Sequence, residues 1–78
     1  MVLIRNIKID DQNISADCYR EGRAFDVSHI VLSRESFEVK NGVKRDAYIA
    51  HAIRELKRVY QNFLAGKGIP EKAMSMWY

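Results

Sequence analysis

The side chains of this sequence that could do chemistry are few and scattered. His51 and Glu55 stand four residues apart, a spacing that brings two side chains onto one face of a helix. A histidine held by a carboxylate can act as a general base. The same spacing also makes an ordinary surface pair of little energetic weight, and that is the expectation here. Cys18 alternates with Ile14 and Ala16. That places it among core residues, where cysteine behaves as a small hydrophobe. A nucleophilic thiol needs a lowered pKa and access, and the neighbouring residues supply neither. Cys18, His29 and His51 are solitary, without the recurrent spacing of three or four zinc ligands.

Asp10-Asp11 and Asp17 could be read as carboxylates for a cation, but the spacing of a calcium loop is absent. Asp10-Asp11-Gln12-Asn13 is a cluster of turn formers instead. Gly66-Lys67-Gly68 follows a helical segment, whereas phosphate-binding loops precede one. We therefore expect no catalytic residue, no cofactor and no metal: the chain reads as a binding protein rather than an enzyme.

Two sets of residues point to binding. Lys40, Lys44, Arg45, Arg54, Lys57 and Arg58 are a basic group in the second half of the chain. Such groups neutralise phosphates in nucleic-acid binders. Glu38, Asp46 and Glu55 are interspersed with them, as on a solvated face. The aromatic set is Tyr19, Phe25, Tyr48, Tyr60, Trp77 and Tyr78. Aromatic residues and arginine are enriched at protein interfaces. Most of the set is expected in the core. Tyr19, Trp77 and Tyr78 are the expected contacts to a protein partner or to a second copy of the chain.

The 78 residues bound what these side chains can build. A chain this short buries about 60% of the surface its unfolded form exposes. Its core supplies roughly 3–5 kcal/mol of net stability. A groove, a flat face or a subunit interface is easier to form at this size than a deep cleft. Hydrophobic residues are 47% and charged residues 29%, the composition of a folded domain rather than a disordered one. The net charge of +3 is uneven. Residues 1–39 hold five basic and seven acidic side chains; residues 40–78 hold eight and three. The second half is the better suited to an acidic partner. A lone cysteine cannot staple a secreted domain. The apolar run at Val2-Leu3-Ile4 is too short for a signal peptide or a membrane span. A cytoplasmic location and no membrane contact are expected.

The elements that must position these residues are legible in the hydrophobic pattern. Val2 to Asp10 reads as a strand whose apolar parity switches from Val2 and Ile4 to Ile7 and Ile9, which predicts a bulge near Arg5-Asn6. Ile14 to Arg20 is a second strand and Glu21-Gly22-Arg23 a turn. Ala24 to Ser33 reads as a third strand. Its parity also switches, from Phe25 and Val27 to Ile30 and Leu32, predicting a second bulge near Ser28-His29. Phe37 and Val39 mark a short fourth strand. Asn41-Gly42 is a strong turn signal that closes a hairpin onto Val43 or redirects the chain.

A helix then runs from an Asp46 N-cap to Ala65, with Gly66 as its stop. Its apolar face is Ile49, Ile53, Leu56, Tyr60 and Phe63. We expect that face to form the core with Ile7, Ile9, Ile14, Ala16, Val31 and Phe37. Pro70 blocks further helix. The apolar tail is expected to add an edge strand or lie across the sheet, burying Trp77.

The segments Ile7-Lys8-Ile9, Ile14-Ser15-Ala16-Asp17, His51-Ala52-Ile53 and Met76-Trp77-Tyr78 resemble those of a group of short uncharacterised bacterial proteins. The likeness spans most of the chain, departs around Ala24 to Ser28, and implies no activity. The reading as a whole is one α+β domain over residues 1–78. A β-meander of three or four antiparallel strands packs against one amphipathic C-terminal helix, with a possible C-terminal edge strand. Its expected function is protein binding, with nucleic-acid binding as the alternative.

Overall fold

A computed structural model describes residues 1–77. Strands β1 (Val2–Ile9), β2 (Asn13–Arg20) and β3 (Val27–Ser33) precede helix α1 (Ala47–Leu64), and strand β4 (Lys72–Ser75) follows it. They form one antiparallel sheet in the order β3-β2-β1-β4. This is the expected α+β meander on one helix, with the tail as an edge strand beside β1.

The helix lies on one face of the sheet, and the core fills the space between them. Val2, Ile4 and Ile7 of β1, Ile14, Ala16 and Cys18 of β2, and Ile30 and Leu32 of β3 meet Ile49, Ala52, Ile53, Leu56 and Val59 of α1. Alternation places every second strand residue in this layer. In β1 the alternation is broken once. The β1–β2 register shifts between Arg5 and Lys8, and Asn6 has φ 55°. Asparagine tolerates this left-handed conformation better than most residues. The extra residue lets Ile4 and Ile7 both point at the helix.

The first two turns follow from side-chain chemistry. Asp10 Oδ1 accepts from the amides of Gln12 (2.9 Å) and Asn13 (2.7 Å), and these bonds hold its carboxyl below the usual range. Glu21 and Gly22 both have positive φ, and Arg23 N donates to Arg20 O at 3.1 Å, the geometry that closes a two-residue turn.

Several expectations about the middle of the chain are corrected. The third strand begins at Val27, not Ala24, because residues 23–26 close a second turn in which Asp26 N donates to Arg23 O. Phe25 sits in that turn, 86% exposed. No second bulge occurs: the β2–β3 register is unbroken from Tyr19↔Val27 to Asn13↔Ser33. The parity switch instead marks the change from turn to strand. Ile30 and Leu32 consequently face the core, and Val31 lies on the opposite face. Phe37 and Val39 form no strand, only a bridge between Leu32 and Val39. Asn41-Gly42 closes no hairpin; Gly42, at φ 73°, bends the chain toward the helix. Trp77 is not buried but 36% exposed.

The helix start is tied to the sheet. Asp46 Oδ1 accepts from Ile49 N at 2.9 Å, and its other oxygen accepts from Arg20 Nε at 2.9 Å. Arg20 also donates to Ser28 Oγ at 2.7 Å. Partial burial raises the Asp46 pKa, but the Ile49 amide and the Arg20 guanidinium together outweigh it and hold the carboxyl below its usual value. A depressed carboxylate pKa contributes stability above the unfolded value of about 3.9, and that contribution is lost as pH falls through the folded pKa. Asp46→Ala is expected to cost about 1–2 kcal/mol through loss of the cap, lowering the melting temperature by roughly 5–15 °C. It is also expected to flatten the acid limb of the stability curve below about pH 4. Thermal melts of both proteins across pH 3–7 check this.

Candidate binding surface

One face of the sheet is covered by α1; the other is open. On it the strands lay out rows of directly opposed residues. The pairs Val27↔Tyr19, Tyr19↔Leu3 and Leu3↔Met74 join into one apolar row across all four strands. Val27 is 47% exposed and Met74 46%; Tyr19 and Leu3 are half-buried. Beside the row, Leu3, Arg5, Tyr19, Gly22 and Ala24 line a hollow of about 140 Å³. Exposed Phe25 belongs to the turn that carries Ala24.

The next row is polar: His29↔Asp17, Asp17↔Arg5 and Arg5↔Lys72. His29 Nδ1 lies 2.8 Å from Asp17 Oδ1, and Asn6 Nδ2 donates to Asp17 Oδ2 at 2.8 Å. The Asn6 bond, then the His29 bond, hold the Asp17 carboxyl below its ordinary pKa. Among the described residues, none of Arg5, Lys8 and Lys72 makes an ion pair. The open face therefore carries an apolar row bordered by Arg5 and Lys72, which make no ion pair among the described residues.

This surface was only partly visible in the sequence. Tyr19 was placed on it by strand parity. Its neighbours Leu3, Val27 and Met74 come from three other strands and are joined by register, which no local pattern encodes. The His29–Asp17 pair is cross-strand for the same reason.

The remaining candidates are dispersed. His51 does not pair with Glu55: its ring stacks on Trp77 at 4.0 Å between centroids, and Glu55 takes Arg58 instead. Trp77 also meets Tyr48 edge-on at 5.4 Å, so the tail is fastened to the first half of the helix. Tyr78 lies outside the described residues. Cys18 is buried in the core, and burial pushes its thiol up to about 12, far from a thiolate at neutral pH.

The six basic residues are spread over β3's flank, the connection before the helix and α1. Lys40 donates to Asn13 Oδ1 at 2.6 Å, and Lys57 sits 5.6 Å from the Phe37 ring, both toward the β3 flank. Arg58 lies on the β4 flank, where with Asn62, Lys67 and Lys72 it lines a groove of about 310 Å³. Lys44 and Arg45 are exposed on the connection before the helix, and Arg54 is exposed on α1. Among the described residues no group of three His, Cys, Asp or Glu side chains could hold a metal. Among the described residues no helix is long and apolar enough to cross a membrane.

Comparison with protein-family models, with curated proteins and with solved structures finds no match. The likeness to short bacterial proteins therefore rests on its motif residues alone.

Proposed function

We propose that this chain is a non-catalytic binding module that docks a protein partner on the open face of its sheet. The observation that carries the reading is the apolar row Val27–Tyr19–Leu3–Met74, unbroken from one edge of the sheet to the other. Small proteins leave few such contiguous exposed stripes without a use. Arg5 and Lys72 beside it, with Lys8 one row further on, favour a partner that sets acidic groups next to an apolar patch. Truncation at the centre of such a patch costs most, since a few desolvated side chains dominate binding.

The test compares captured proteins from matched baits. Val27→Asp puts a charge into the exposed row without touching the core and is expected to abolish capture. Lys57→Ala, on the helix side, is expected to leave capture unchanged. Binding that survives nuclease treatment and disappears with Val27→Asp supports the reading. Capture unaffected by Val27→Asp removes the open face from consideration. Capture lost to nuclease replaces the protein partner with nucleic acid.

A further inference from the structure

The two edges of the sheet are treated differently. The outer edge of β3 is occupied. Lys40 N donates to Val31 O at 2.8 Å, and Ser33 N donates to Glu38 O at 2.9 Å. Between them the Asn41 side chain stands in for a strand: its Oδ1 accepts from Val31 N at 3.3 Å and its Nδ2 donates to His29 O at 2.8 Å. The outer edge of β4 has no such cover among the described residues. β4 has β1 on one side and no strand on the other. An unpaired strand edge is a template for another strand.

We propose that two copies of this chain pair edge to edge through β4, about a two-fold axis at Met74, to form one continuous sheet. An antiparallel ladder alternates its bonding direction residue by residue. Glu21 N donates to Met1 O at 2.8 Å, so Met1 and Leu3 turn their backbone toward β2, and Val2 and Ile4 turn theirs toward β4. Val2 opposes Ser75 and Ile4 opposes Ala73. The backbone groups of Lys72 and Met74 therefore point outward, free for a partner strand.

A two-fold axis normal to the sheet makes opposed residues share a face, which leaves axes at Lys72, Ala73, Met74 or Ser75; the last sets Met74 against Met76 of the other copy and offsets the two apolar rows. The first sets two ammonium groups directly against each other, which is destabilising. The second sets Lys72 against Met74 of the other copy and breaks the apolar row. The axis at Met74 sets Met74 against Met74 and Lys72 against the exposed Met76. Only this register runs the Val27–Tyr19–Leu3–Met74 row of one copy straight into that of the other. A four-residue edge buries less than the roughly 1,600 Å² of a standard interface, so the dimer exchanges with monomer and grows with concentration.

The inference rests on the hydrogen-bond supply of the edge, and it stands or falls apart from the docking of another protein on the face. Cysteine crosslinking tests the register. In an antiparallel hydrogen-bonded pair, Cα atoms lie about 5.5 Å apart, within the range of about 4.4–6.8 Å that a disulfide spans. Met74→Cys is therefore expected to give a covalent dimer on mild oxidation. Lys72→Cys, whose Cα atoms lie roughly 14 Å apart across the axis, is expected to give about tenfold less or none. Buried Cys18, the only native cysteine, does not compete.

Sedimentation of the wild type across a concentration series is expected to show reversible dimer. Met74→Pro, which removes one outward amide and none that β1 uses, is expected to be monomeric with its fold intact by circular dichroism. A wild type that stays monomeric at the highest concentrations overturns the proposal. So does Lys72→Cys crosslinking as well as Met74→Cys. Val27→Asp, away from this edge, is expected to leave the dimer in place, so failure of the face reading and failure of the edge inference remain distinguishable.

Discussion

Deleting Asn6 is expected to preserve the cooperative thermal transition of this protein. Asn6 is the extra residue of the β1 bulge, and without it the strand alternates without interruption. Val2, Ile4, Ile7 and Ile9 then all face the helix, because with Asn6 gone Ile7 stands two residues after Ile4 and shares its face. Ile7 is buried and Ile9 half-buried in the native fold. An unbroken alternation that kept Asn6 would instead expose Ile7, at a cost of about 1.5–3 kcal/mol. The same alternation would turn Lys8 toward the core, where an unpaired ammonium is far more costly. The sum exceeds the roughly 3–5 kcal/mol a core of this size provides.

A substitution at the same position separates the bulge from the side chain. Asn6→Gly keeps the extra residue and suits φ 55°, giving up only the exposed bond to Asp17. It is expected to stay within about 0.5 kcal/mol of wild type. Asn6→Val places a β-branched residue in the left-handed region and is expected to lose about 1–3 kcal/mol. Thermal melts followed by circular dichroism rank the three variants. Loss of the cooperative melt in the deletion variant would show that the bulge does more than reconcile the faces of Ile4 and Ile7.

Leu56→Ala is expected to have a large effect. Leu56 is fully buried on α1, in the same cluster as the core residues of β1, β2 and β3. Leucine-to-alanine changes in such positions cost about 2–5 kcal/mol, from lost transfer energy and the cavity left behind. Against a total of roughly 3–5 kcal/mol, a substantial fraction of the chain is expected to be unfolded at room temperature. Alanine is the better helix former, so the loss cannot come from the helix itself. Leu64→Ala makes the control: Leu64 is 61% exposed at the helix end, and its replacement is expected to shift stability by no more than about 0.5 kcal/mol. Urea titrations of the two variants read the contrast directly. Equal midpoints would mean that the helix is not held by the buried face that Leu56 shares with Ile49 and Ile53.

What the sequence by itself determined is everything that depends on near neighbours. Asp46, the three- and four-residue apolar steps from Ile49 to Tyr60, and Gly66 define a helix because capping and periodicity are local. The switch of parity between Ile4 and Ile7 announces the bulge. Asp10 in its turn and the apolar tail after Pro70 are legible for the same reason. Local pattern also misled where two causes give one signal: the shift from Phe25 and Val27 to Ile30 and Leu32 reads as a bulge but is a turn entering a strand.

The tertiary structure alone decided which strand meets which. β4 pairs with β1 across most of the chain's length, because β1 is the open side once residues 38–41 have covered β3. That pairing completes the apolar row, and register alone places His29 on Asp17. Trp77 ends on His51 rather than in the core, since the space under α1 is already filled by aliphatic side chains from three strands. These choices are set by closing long loops against the burial they permit, and no window of consecutive residues contains both sides of that balance.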